Sequence, residues 1–326
     1  MEIQKLYIYP IKSCLPIAVA EAAITECGLQ YDRQYVLVDL PEGEAGELDV
    51  LTIKTRSELC LFQPTIDGEN LVVRNTHAPE TSLTVPLDPS PESLAAAQRY
   101  PITLFSTSTV GIDMGDEAAA YFSAQLNVPT ARLCYIGRPR DPHPMLTPSV
   151  DGDGKSKHPM KIRFMDVAPM LLSTTASIDE VTSRLPGSRF TAAGPFDVTK
   201  FRPNIHVAVP EGTPAYDEEF WAEISVGEEK LRFDCTFNTA RCLSVNVDYE
   251  TGKQAAPEEQ IYKKLMKDRR INPRFDFKPC FGRYCCCSAM GARIRVGDKI
   301  TVQKRNAERH VDGTPRREID ANCTDV

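Results

Sequence analysis

An arginine directly before a cysteine, Arg241-Cys242, is the pair with the plainest chemical content in this chain of 326 residues. A neighbouring cation lowers a thiol's pKa and favours the thiolate. A thiolate suits the softer transition metals better than Mg or Ca. The run from Asn238 to Gly252, N-T-A-R-C-L-S-V-N-V-D-Y-E-T-G, then alternates apolar Leu243, Val245 and Val247 with polar Ser244, Asn246 and Asp248. That alternation predicts a strand, with Cys242 where an irregular loop enters it. Cys242 is the expected metal ligand.

Two basic clusters stand out in a chain of net charge −7. The first is Tyr9-Pro10-Ile11-Lys12-Ser13-Cys14, with Asp32-Arg33 following. A lysine, a hydroxyl and turn-exposed backbone N–H groups after a strand end suit a phosphate. In the second, Phe201-Arg202-Pro203-Asn204, the proline fixes the backbone between a charge and an amide, so that both can point at one rigid ligand. The remaining cysteines read otherwise. Eleven is an odd count without a secretion signal, which argues against a disulfide framework. Cys280 and Cys285 have iron–sulfur-like spacing, but Ser288 stands where the next cysteine would be needed. Cys285-Cys286-Cys287 therefore reads as strand packing, and the dispersed histidines speak against zinc. Trp221 reads as a core or edge aromatic, and His143 and His158 as solvent-facing residues of a linker. No Gly-rich phosphate loop, serine elbow or His-Glu metalloprotease helix occurs.

The elements that must position these residues are mostly strands. Ile3 to Tyr9, Gln34 to Asp39, Val50 to Lys54, Leu59 to Ile66, Leu71 to Asn75, Leu83 to Leu87 and Ile102 to Ser106 are short and punctuated by Gly, Pro and Asp. Such spacing predicts a small barrel or sandwich. Ala118, Phe122 and Leu126 place a helix over Asp116 to Leu126. Arg138 to Pro159 reads as a loop, Ala176 to Leu185 as a short helix, and Ile205 to Val209, Phe220 to Val226 and Leu231 to Cys235 as strands. A helix follows Pro257 with Ile261 and Leu265 inward, then strands return over Gly282 to Ser288 and Arg293 to Val302. The expected division is 1–125, a connection 126–160, a second domain 161–303 and a polar tail 304–326. The acidic balance argues against nucleic acid, and no apolar run reaches the roughly 18 to 20 residues of a membrane span.

Taken in order, Y-P-I-K-S at 9–13, D-R at 32–33, F-R-P-N-I at 201–205, R-C-L-S-V-N-V-D at 241–248, F-G-R-Y at 281–284 and I-R-V-G-D at 294–298 resemble the molybdenum cofactor sulfurase C-terminal (MOSC) family. The resemblance is to its two-part form, as in the amidoxime-reducing components and bacterial N-hydroxylamine reductases. It implies a mainly β (α+β) fold, with a small N-terminal β-barrel packed on a MOSC β-barrel carrying a few helices. It also implies molybdenum held by one molybdopterin and by the thiolate of Cys242. Lys12, Ser13 and Arg33 match positions that hold the pterin or its phosphate. Arg202, Asn204, Arg241, Thr174 and Ser177 match others lining the pocket. The implied activity is reduction of amidoximes, hydroxylamines and N-oxides to amines. The alternative is a non-catalytic cofactor-binding or sulfur-carrier module. The resemblance also implies that electrons come from a flavin NAD(P)H-dependent reductase through a cytochrome b5-type donor. The lack of a dinucleotide fingerprint in this chain says only that a separate donor is required. Ala240 stands where relatives often have serine, and Tyr249 where they often have proline. The expected address is cytoplasmic, or the mitochondrial outer membrane if an N-terminal anchor is missing from this chain.

Overall fold

The computed structural model describes residues 1–40, 48–105, 107–141, 160–188, 194–272, 275 and 277–309. The strand Glu2–Ile8 buries Ile3, Leu6 and Ile8. The spacing from Ile3 to Leu6 breaks strict alternation, and a bulge between Ile3 and Lys5 restores the inward set. This strand joins an eight-stranded sheet in the order Ile17–Val19, Glu2–Ile8, Ile205–Ala208, Met170–Thr174, Cys280–Cys287, Leu231–Ala240, Trp221–Val226 and Ile300–Arg305. All pairs are antiparallel except Met170–Thr174 with Ile205–Ala208. The sheet curls back on itself. Ile3 N donates to Asp298 O at 2.9 Å and Ile300 N to Met1 O at 3.0 Å, so the first strand meets the start of the last. The interior holds Ile3, Leu6, Leu172, Val207, Trp221, Ile224, Phe233, Cys285 and Ile300. The predicted mainly β, barrel-like fold is what forms.

His206 lies in this barrel, its Nδ1 2.9 Å from Ser173 Oγ. Burial pulls its imidazole from the ordinary 6.5 down to about 4. The unfolded chain protonates His206 near pH 6.5 while the folded one resists until about 4. Stability from this group is therefore full above 6.5 and lost as pH falls across that window, by about 2–3 kcal/mol. Urea unfolding of His206→Gln should accordingly depend less on pH between 7 and 4.5 than that of the wild type. Equal dependences would contradict the assignment.

The first half builds a second body. A five-stranded sheet runs Arg99–Leu104, Thr107–Asp113, Ala131–Ile136, Tyr35–Asp39 and Asp49–Leu51, beside the three strands Phe62–Asp67, Asn70–Asn75 and Ala78–Pro86. The helix Asp116–Leu126 packs on them through Ala118, Phe122 and Leu126, as their spacing predicts. Pairing also crosses between the halves, since Arg293–Arg295 binds Glu21–Thr25.

Three expectations change. Leu59 to Ile66 is a 3-10 turn Ser57–Leu61 followed by the strand Phe62–Asp67, because Leu59, Cys60 and Leu61 are buried consecutively, which a two-faced strand cannot offer. Ala131–Ile136 falls in the stretch read as a connection, yet it is a strand paired on both sides. The last strand runs on to Arg305. His143, His158 and the tail from 310 lie outside the described residues.

Candidate functional site

Four chain segments meet where the barrel touches the N-terminal body. Asp32, fully buried, is the hub. One carboxylate oxygen accepts Tyr9 N at 2.7 Å, the other accepts Asn204 Nδ2 at 3.0 Å, and the carboxylate pairs with Arg33. Asn204 Oδ1 in turn accepts Leu171 N at 3.1 Å and Arg33 Nη1 at 3.2 Å, while Nδ2 also donates to Tyr7 O. Both ends of the Asn204 amide are thus engaged inside the protein. Asn204 thereby positions Arg33, Asp32 and the backbone at Tyr7 and Leu171.

One guanidinium from each of the two predicted clusters lies against the same aromatic ring. Arg33 Cζ is 4.2 Å and Arg202 Cζ 4.3 Å from the Tyr9 centroid. Such desolvated cation–π contacts are worth up to about 2 kcal/mol each. They hold two like charges together where an anion between them would be welcome. Arg33 Nη2 donates to Arg202 O at 3.1 Å and Arg202 Nη1 to Cys14 O at 2.9 Å. Arg202 Nη2 is buried with no hydrogen-bond partner among the described residues, and so is the Tyr249 hydroxyl beside it. Backbone strain marks the same place. Ser13, Arg33 and Arg202 have φ of 73°, 46° and 57°, the left-handed region that side-chain-bearing residues avoid. Each costs about 1–3 kcal/mol and persists because the surroundings fix it.

Lys12 is buried next to them. Its Nζ donates to Phe164 O at 3.0 Å and to the half-exposed Asp166 carboxylate. Burial pulls its ammonium pKa down, opposed by Asp166. Ser13 Oγ has no hydrogen-bond partner among the described residues.

Cys242 caps a change of direction. The strand Leu231–Ala240 ends, and Arg241 N donates to Pro279 O at 2.8 Å. The Arg241 guanidinium donates to Phe281 O at 2.6 and 2.9 Å and to Phe201 O at 2.8 Å, the residue before Arg202. Gly282 permits this approach. At φ 77° a Cβ there would lie 2.8 Å from Leu172 O and 3.4 Å from Arg241 Nη2. The predicted strand after Cys242 does not form. Leu243–Asn246 is a 3-10 turn, and only Val247–Asp248 is extended. Leu243 is exposed while Val245, Asn246 and Val247 are buried in succession, with Val245 packing against Phe201 and Phe281. Cys242 Sγ lies 2.9 Å from Ser244 Oγ. Among the ten described cysteines only Cys242 and Cys287 are not buried. Burial pushes the thiols of Cys14, Cys60, Cys134 and Cys235 up to about 12.

Lys12, Ser13, Arg33, Arg202, Arg241 and Cys242 are therefore linked by direct contacts or by shared backbone. Thr174 and Ser177 are not among them. Their hydroxyls donate to buried Glu218 at 3.0 and 2.8 Å, and Thr174 caps the helix Thr175–Ser183. Both hydroxyls are engaged by Glu218 within the barrel. Sequence reasoning missed Asp32's hub role, Asp166 and Tyr284. Tyr284 is partly exposed, and its phenol, raised by burial to about 12, feels Arg241, Asp166 and Arg33 together.

Comparison with known proteins matches both parts of the chain. The family description "MOSC N-terminal beta barrel domain" matches residues 1–129, and "MOSC domain" matches residues 159–301. The chain belongs to the MOSC family. Mitochondrial amidoxime-reducing component 1 of Mus musculus is 28% identical over 91% of this chain and 81% of its own length. The Homo sapiens protein of that name is 26% identical over 91% and 82%. Molybdenum cofactor sulfurase of Drosophila willistoni is 26% identical over 81% of this chain, but over only 29% of its own length. The MOSC match spans Arg202, Arg241 and Cys242, and the N-terminal match spans Lys12, Ser13 and Arg33. No helix among the described residues is long and apolar enough to cross a membrane.

Proposed function

We propose that this MOSC protein is a molybdenum-dependent oxidoreductase that reduces N-hydroxylated compounds to amines, with Cys242 as the protein's ligand to molybdenum. One observation carries the reading. A half-buried thiol at the end of the barrel strand is tied through Arg241 and the Phe201 carbonyl to two arginines stacked on Tyr9, one with a buried, unpaired N–H. That donor set suits a molybdopterin, whose phosphate needs several charge-assisted donors. Arg33, Arg202, Lys12 and Ser13 would hold the anionic end, and Cys242 would ligate the metal. When bound, the cofactor supplies two-electron removal of the N-bound oxygen, which leaves as water with two protons.

The chain's own part is placement. Asp32 and Asn204 fix Arg33, while Phe201 and Phe281 fix Arg241 and hence the turn that carries Cys242. Against the effect of burial, Lys12 and Arg140 hold the carboxyl of half-exposed Asp166 below the usual carboxylate range, so it stays ionised and fixes the Lys12 ammonium. Names of the relatives support the substrate class. The electron donor in this reading is a separate protein of the cytochrome b5 type, since the chain has no dinucleotide fingerprint.

The test is molybdenum and pterin content of protein from a cofactor-competent host, followed by benzamidoxime reduction with a chemical electron donor. Molybdenum bound without turnover would favour the carrier reading. Lys12→Met is expected to lose several-fold more molybdenum than the wild type on dialysis. Equal retention would remove Lys12 from the cofactor-holding set.

A further inference from the structure

Residues 262–278 carry seven Lys or Arg against two Asp in a chain whose net charge is −7. The local fold sorts these charges by face. Ile261, Leu265 and Arg269, four apart, are buried around the helix Tyr262–Leu265, and backbone bonds continue the turn, with Arg269 N donating to Leu265 O at 2.8 Å. Arg269 is used internally, paired with Glu219. Lys264 donates to Arg184 O, and Asp268 is paired with Arg184. Carried through the turn that ends at Arg269, helical geometry puts Lys263 and Lys267 opposite the buried set, and Arg270 follows directly. All three are exposed and make no ion pair among the described residues. The nearest acids before them, Glu258 and Glu259, belong to the preceding turn Pro257–Glu259.

This face borders the Cys242 turn. Asn246 Oδ1 accepts Tyr262 N at 3.0 Å. Two large apolar side chains flank the same region: Leu243, 55% exposed, directly follows Cys242, and Phe277, 80% exposed, lies two residues before Pro279, which holds Arg241 N. Exposed apolar anchors with a charged rim are the make-up of a protein interface. Three free cations are too few for stable attachment to an anionic membrane, which uses clusters of about four to eight.

We infer that Lys263, Lys267 and Arg270, with Leu243 and Phe277, form the docking face for an acidic protein partner that delivers electrons at Cys242. The inference rests on the proposed function, which requires an external donor. Complementary charge of this kind acts on the encounter rate and weakens with salt.

The experiment compares the wild type with the combined variant Lys263→Glu, Lys267→Glu and Arg270→Glu, all in the cofactor-loaded form. Benzamidoxime reduction is driven either by a soluble, acidic cytochrome b5-type haem domain or by dithionite-reduced methyl viologen. At low salt the variant should lose about tenfold or more in kcat/KM with the haem domain and lose most of its salt dependence. With viologen it should stay within about twofold. Direct binding of the oxidised haem domain is measured in parallel. Wild type and variant binding it equally, with the same salt dependence, would overturn the docking face. So would preferential attachment of the face to vesicles of anionic lipid. A wild type inactive with viologen would count against the proposed function alone, because the binding arm still decides the docking face.

Discussion

Cys242→Ser is expected to reduce amidoxime turnover at least about a hundredfold while leaving the unfolding transition within about 1 kcal/mol of wild type. The thiol is half-buried and its hydrogen bond among the described residues is to the Ser244 hydroxyl, so a hydroxyl in its place leaves little space and strands no buried partner. On Tyr9, Arg33 remains fixed by Asp32, Asn204 and the Arg202 carbonyl and Arg202 by the Cys14 carbonyl, none of which depends on the sulfur. Retained pterin with failed turnover would separate holding from chemistry. Turnover near wild type, assayed with a chemical donor, would remove Cys242 from the site.

Asp32→Ala should have the largest effect on stability. Its carboxylate, with no exposure, receives Tyr9 N and Asn204 Nδ2 and neutralises Arg33. Removing one partner from a buried ionic cluster leaves the others desolvated and unsatisfied, at a cost of about 3–5 kcal/mol. The strain at Arg33 would then lose part of what holds it in place. Chemical denaturation should show that loss, and bound molybdenum should fall with it. A variant of wild-type stability and full metal content would show that the cluster is held by other contacts.

The chemistry was more legible in the sequence than the geometry. Lys12, Arg33 and Arg202 announce themselves as cations in short turn-like motifs, and Tyr9 brings two of them together. Asp166 gives no such signal, because it sits in an aperiodic stretch and meaning comes only from its pairing with Lys12, 154 positions away. Met170–Thr174 was invisible as a strand for a different reason. All five residues are buried, so no alternation exists to be read. The opposite failure occurs after Cys242, where Leu243, Val245 and Val247 alternate in sequence, but Asn246 is buried between two apolar neighbours. Tertiary contacts to Phe201 and Phe281 there override the local pattern, and the chain turns instead of extending. Glu218 shows the same limit, since nothing in its acidic neighbourhood forecasts a carboxylate buried against Thr174 and Ser177.

X-ray absorption at the molybdenum edge, on wild type and Cys242→Ser from a cofactor-competent host, reaches the central claim most directly. If the sulfur at 242 is bonded to the metal, the substituted protein will show one sulfur neighbour fewer, with a lighter atom in its place. An identical sulfur shell in both proteins, or wild-type protein that takes up no molybdenum at all, would contradict it.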